Sequence, residues 1–287
     1  MRQAQDIVKG ILVKESEQRF IRTEDGREIF KNMKIWDGYL THWEGRQVYA
    51  RALEMTDYDS GKPFVIIWPV VHQSEDPFLE IYFNERLVKY YASTFGHIAI
   101  NLDGKIFNFS HKLNENEVIS IEEYFYRPAL GEFAPSPDTG KYEIREDGRV
   151  FYDKFGRNFM RTIHVVRVEG LDTTVLMEIL LDELRQIREA PLNIKDPEKY
   201  SEFNFFTRSC VTIIRDSLNR YGFDTIKGIF PKDLFISAAF LFQKKTEYNV
   251  RVFRMPQLLV PEAPPSAEPP VMNLKNRVRE KKLVYEN

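Results

Sequence analysis

One cysteine, Cys210, stands in 287 residues. A single thiol excludes an intramolecular disulfide and any metal site built from several cysteines. No apolar run reaches the roughly 18 residues that mark a membrane-spanning helix, so no membrane span is expected. Met1-Arg2-Gln3-Ala4-Gln5-Asp6 leads into no apolar segment of signal-peptide length, and a cytoplasmic protein is expected. Charge of one sign is also missing: 41 Lys and Arg face 43 Asp and Glu, a formal net charge of −2. That balance gives no general pull toward nucleic acid or anionic membrane. What is present is 43% hydrophobic and 29% charged residues, the mixture of a folded globule long enough for two domains.

Residues 1–70 read as a small β-rich domain. Short runs at Ile7 to Val13, Arg19 to Thr23 and Glu28 to Phe30 are followed by Gln47 to Ala50 and Phe64 to Trp68. Asp25-Gly26 has the composition of a two-residue hairpin turn. Several short strands at close spacing suggest a small barrel of the OB or SH3 type. Its 11 basic and 11 acidic residues lack the basic footprint of a nucleic-acid binder, so a packing or partner-docking role is favoured. Trp36, Tyr39 and Trp43 read as core aromatics rather than a binding face.

Residues 75–255 read as a second, α+β domain. A helix is expected over Glu80 to Tyr91, hairpins at Asp103-Gly104 and Asp147-Gly148, and a strand over Phe159 to Val168. Val175, Leu176, Ile179, Leu180, Leu184 and Ile187 repeat at helical spacing behind Asp172, and Pro191 ends that helix. A further helix begins near Cys210 and ends at Gly222. Residues 236 to 253 have strand-like composition. The remaining segment, 256–287, carries Pro261, Pro264, Pro265, Pro269 and Pro270 and then Lys275, Arg277, Arg279, Lys281 and Lys282. It reads as an extended, disordered tail that is solvated or wrapped by a partner.

The chemistry-bearing residues fall in two segments. With Asp103-Gly104 as a two-residue turn, Leu102 faces Lys105, Ala99 faces Asn108 and His97 faces Ser110. Side chains alternate along a strand, so His97, Ala99, Asn108 and Ser110 share one face, and Ile98, Ile100, Phe107 and Phe109 the other. Asn108 is then a diagonal neighbour of His97 and can hold its imidazole tautomer, as the third member of a catalytic triad does. His111 has the opposite parity. Cys210 falls in the first turn of a helix, where unpaired N–H groups favour a thiolate. The Cys210 N–H is placed to serve an oxyanion hole, with Asn204 or Ser209 as a further oxyanion or substrate contact. From spacing alone, the plainer assignments are a buried structural thiol and a structural histidine.

Together the segments Ser93-Thr94-Phe95-Gly96-His97, Phe107-Asn108 and Phe203-Asn204-Phe205-Phe206-Thr207-Arg208-Ser209-Cys210 resemble the circularly permuted papain-like hydrolases. That group contains NlpC-like cell-wall peptidases, lecithin:retinol acyltransferase relatives and YiiX-like proteins. The chain is most similar to the N-terminal periplasmic domain family associated with lacto-N-biosidase proteins. The resemblance covers roughly residues 90 to 240. It implies a papain-like antiparallel sheet with helices in the second domain, and a Cys–His hydrolase site. Ser209 stands where the family often has Asn, and the relatives are often exported.

The expected activity is therefore a thiol hydrolase acting on an amide or ester bond through Cys210, His97 and Asn108, with a thioester acyl-enzyme and no metal or organic cofactor. The substrate would be a peptide, amide or acyl compound, with a protein partner held by the barrel or the tail. Two other functions fit the same residues: a non-catalytic binding or scaffold module, and a lipid acyltransferase with an apolar groove beside Cys210.

Overall fold

Two six-stranded sheets carry the fold, one in each of two units. The computed structural model describes residues 7–57, 60–70, 76–87, 94–127, 158–196, 199–259 and 265–286. One unit comprises Met1–Gln73 with Glu122–Asn158, the other Ser74–Ile121 with Phe159–Asn287. The protein is thus α+β. Among the described residues no helix is long and apolar enough to cross a membrane.

In the first unit, strands β1 (Val8–Glu15) and β2 (Gln18–Arg22) pair antiparallel, with Glu15 opposite Gln18. The tight turn between them is Ser16-Glu17, with Ser16 at φ 53°. Arg22 pairs with Glu28 at the start of β3 (Glu28–Ile29), so the Asp25-Gly26 turn sits inside a five-residue loop, not the two-residue one expected. Strands β4 (Lys34–Ile35), β5 (Gln47–Thr56) and β6 (Pro63–Pro69) complete the order β3-β2-β1-β5-β6-β4, with β4 and β6 parallel. The expected barrel is not closed. Closure needs the two edge strands to pair along a ladder, and here both edges, β3 and β4, are two residues long. Helix α1 (Asp37–Trp43) buries Tyr39 and Trp43, which stack at 5.3 Å, so these aromatics belong to the core.

The second unit holds β7 (Phe78–Asn84), β8 (His97–Leu102), β9 (Lys105–Asn108), β10 (Glu117–Ser120), β11 (Ile163–Glu169) and β12 (Asn249–Met255). All pairs are antiparallel, in the order β10-β9-β8-β7-β11-β12. The helix expected over Glu80 to Tyr91 is corrected: Phe78–Asn84 is a strand between β8 and β11, buried along its whole length. Glu80 survives in that strand because Arg167, Tyr82 and Asn101 satisfy its carboxylate. The expected Asp147-Gly148 hairpin lies outside the described residues.

Helix α2 (Ile121–Tyr126) follows β10 in the chain, and helices α3 (Thr174–Glu189), α4 (Cys210–Tyr221) and α5 (Pro231–Phe242) pack their apolar sides on Leu79, Ile81, Phe83, Ile98, Ile100, Phe107 and Phe109. Asp172 accepts from the Thr174 N–H at 2.9 Å at the start of α3. Gly222, at φ 125°, ends α4. Residues 236–242 are helical rather than extended. Pro231 opens α5 in its first turn, and a helix buried nearly all round shows too little polar face to announce its period.

The C-terminal segment is also corrected. It is not a disordered tail over its described residues: it folds onto its unit and carries α6 (Leu274–Glu280). Asp233 carboxylate oxygens accept from the Met272 and Asn273 N–H groups and from Asn276 Nδ2. Lys232 pairs with Glu268 and Glu280, and Val271 is buried in the core.

Candidate active site

His97 opens β8, and two local features aim it. Asp103 and Gly104 both take positive φ, 52° and 85°, as a tight hairpin turn with the strands' own twist requires. Leu102 therefore faces Lys105, and the register carries Asn108 beside His97. On the other side, Gly96 has φ 76°, and a Cβ there would stand 2.4 Å from the Asn84 carbonyl oxygen. Only glycine lets the chain pass so close to β7 and enter the strand at His97.

His97 Nε2 lies 2.7 Å from Asn108 Oδ1. Asn108 is fully buried, and its Nδ2 donates to the Glu115 carbonyl at 2.7 Å. That second bond fixes the amide orientation, so Oδ1 must face the ring. The Nε2 atom therefore carries the proton and Nδ1 the lone pair. Burial pushes the His97 pKa down to about 4; the Asn108 bond opposes this, and the charges of Arg161 and His111 reinforce it. Near neutral pH His97 is a neutral base.

Cys210 is the first residue of α4 and is half-buried. Ser209 caps the helix: its Oγ faces the Thr212 N–H at 3.5 Å, and its own N–H donates to Thr212 Oγ1 at 2.7 Å. Burial pushes the Cys210 thiol up to about 11, against the opposing pull of the backbone N–H groups of Ile98, Val211 and Cys210 itself. Ile98 follows His97 in β8, the strand against which α4 packs. Both shifts favour the uncharged forms, a neutral thiol at Cys210 and a neutral imidazole at His97.

The two remaining sequence-derived residues serve the loop before the helix. Asn204 is exposed, and its Oδ1 accepts from the Phe206 and Thr207 N–H groups at 2.9 and 3.1 Å. Ser209 is spent on the cap. Sequence reasoning missed Glu115, which orients Asn108, and Thr212, although Ser209 and Thr212 stand at the spacing of a reciprocal cap. It also missed an aromatic cluster at the site's edge. Phe95, two residues before His97, packs on Phe205 at 5.7 Å and on Phe230 at 4.9 Å. Phe205 and Phe230 meet at 5.8 Å, and Phe206 beside them is 62% exposed. Ser93 lies outside the described residues.

Comparison with protein families, with curated proteins and with solved structures found no match to this chain.

Proposed function

We propose that the second unit is a permuted papain-like thiol hydrolase acting on amide or ester carbonyls. The observation that carries this reading is the Glu115–Asn108–His97 relay. It leaves Nδ1 of a neutral imidazole as the acceptor, on a strand whose next N–H faces the Cys210 sulfur. As the sulfur attacks the carbonyl carbon, His97 Nδ1 takes the thiol proton, and the Cys210 N–H stabilises the developing oxyanion. Collapse expels the amine or alcohol, which takes that proton from His97, and leaves a thioester on Cys210. Water, deprotonated by His97, then releases the acid and restores the thiol. The neutral resting pair means that proton transfer accompanies attack rather than preceding it. The phenyl cluster beside the site, with Phe206 exposed at its rim, favours an acyl group with an apolar body.

The two pKa shifts also favour a second reading, a binding module in which Cys210 is a buried, unreactive thiol. The experiment that separates them follows acyl transfer to Cys210 by intact-mass spectrometry. The full chain is mixed with p-nitrophenyl esters and thioesters of acetyl, octanoyl and phenylacetyl groups. An adduct on Cys210, fastest with the apolar acyl groups and slowed by about a hundredfold or more in His97→Ala, is the expected result. Turnover only when an amine or alcohol acceptor is supplied would make the protein an acyltransferase instead. No adduct, or the same rate in His97→Ala, overturns the hydrolase in favour of the binding module.

A further inference from the structure

A second constellation lies in the same unit, where β7 ends and the C-terminal segment crosses β11. Glu85 follows β7, His164 is the second residue of β11, and Glu268 precedes α6. Three of their atoms converge. His164 Nε2 lies 3.1 Å from Glu85 Oε1 and 3.7 Å from Glu268 Oε1, and the three ligand atoms fall within 4.8 Å of one another. His164 is 2% exposed and Glu85 7%.

The outward atoms of all three side chains are engaged. Glu85 Oε2 accepts from Ser266 Oγ at 2.7 Å. His164 Nδ1 lies 3.0 Å from the Tyr285 hydroxyl. Glu268 Oε2 accepts from Lys232 Nζ at 2.5 Å. Each side chain is held from behind, and one carboxylate oxygen, one imidazole nitrogen and another carboxylate oxygen are turned inward. A single imidazole proton cannot serve two carboxylates equally, whereas a divalent cation serves all three groups and neutralises both charges. Engaged outer atoms are the pattern that fixes ligands around a metal. Bonds of about 2.1 Å put neighbouring ligand atoms about 3.0 Å apart in octahedral and about 3.4 Å in tetrahedral geometry. The observed 3.1 Å lies between these, and 3.7 Å needs a contraction of a few tenths of an ångström. Arg254 approaches Glu268 Oε1 at 3.8 Å, beyond hydrogen-bond length.

We propose that Glu85, His164 and Glu268 bind one divalent first-row transition ion, with Zn²⁺ as the best match to one imidazole and two carboxylates. The metal takes the Nε2 lone pair, and Nδ1–H donates to Tyr285. The three ligands come from distant stretches of chain, so the ion clamps the C-terminal segment to β7 and β11. This role is structural and independent of Cys210.

The test uses the untagged full chain in a Cys210→Ser background, which removes the thiol as a ligand. After dialysis against chelator, Zn²⁺ is titrated by calorimetry and melting is followed with and without the ion. The expected result is one equivalent bound per chain and an upward shift in melting temperature of several degrees. Both are lost in Glu268→Gln and in His164→Gln, and Tyr285→Phe weakens binding by about tenfold or more. Should the His164 variant fail to fold, Glu268→Gln and Tyr285→Phe decide, since Glu268 is partly solvated and Tyr285 is not itself a ligand. Absence of binding in the parent chain, or unchanged affinity in Glu268→Gln and Tyr285→Phe, overturns the proposal and leaves a purely protonic cluster.

Discussion

His97 and His164 sit at the same end of one sheet. Asn84 of β7 pairs with His97 on one side and Ile163 on the other, and Phe83 pairs with Ile98 and His164. Two histidines only one register step apart have been given opposite surroundings. His97 donates to a neutral amide from its own hairpin, and burial, Arg161 and His111 all oppose a positive charge on it. His164 faces two carboxylates and a phenol, all brought from far along the chain. On the two proposals made above, the partner and not the strand position decides whether an imidazole is left as a base or held as a metal ligand.

The comparison predicts opposite responses to deletion. The largest effect is chemical: His97→Ala should slow acylation of Cys210 by about 10²-fold or more, while its cost in stability stays near the ~1–2 kcal/mol of one lost buried hydrogen bond to Asn108. Removing the other histidine should do the reverse. His164→Leu leaves the Glu85 carboxylate buried without its imidazole, and a chelator-treated chain should lose about 3 kcal/mol of stability in urea melts. Equal losses of stability from both substitutions would mean that the two sites do not differ as argued.

A smaller effect tests the local geometry around His97 alone. Gly96→Ala puts a Cβ against the Asn84 carbonyl in a backbone region that disfavours side chains. It should cost about 2 kcal/mol and displace the histidine, so acylation falls with stability. A variant that melts like the parent would show that the strand entry tolerates the shift. Asn108→Ala comes next, leaving the Nε2–H without its acceptor at about 1–2 kcal/mol.

The two histidines also differ in how far they can be read from the sequence. His97 and Asn108 lie in one hairpin, and its register follows from a single turn, Asp103-Gly104, so counting along the strands was enough. The caps of α3 and α4 at Asp172 and Gly222 were legible for the same reason. His164, Glu85 and Glu268 have no local relation, and no spacing announces them. Their assembly depends on β7 pairing with β11 and on Ser266, Glu268 and Tyr285 folding back, where proline content had suggested a tail. Strand β7 was misread because its buried carboxylate, Glu80, looks like the polar face of a helix until Arg167 and Asn101 are placed around it. Helix α5 was misread because burial on nearly every side erases helical periodicity. In the first unit every strand but β4 was legible, but edge closure, which makes a barrel, depends on the short β3 and β4 and not on strand count.

The finest distinction between the histidines is their pH dependence. The folded His97 titrates at about 4, against an ordinary value of 6.5, so between those two pH values the unfolded chain binds a proton that the folded chain refuses. The unfolded state gains from acid across this window, and the contribution of His97 to stability, fully present above about pH 6.5, is lost as pH falls toward 4. Many carboxylates titrate in the same range, so the measurement is a difference: urea midpoints from pH 7 to 4 for the parent chain and for His97→Gln. The parent should lose stability relative to the variant on acidification. Asn108→Asp should reverse the sign, because a carboxylate in place of the amide oxygen 2.7 Å from Nε2 raises the imidazole pKa. The folded chain then holds its proton more tightly than the unfolded one, and the stabilisation is present at low pH and lost as pH rises. A parent and His97→Gln that run parallel across the window would mean that His97 is solvated enough to protonate at its ordinary value, and that burial does not hold it neutral below about pH 6.5.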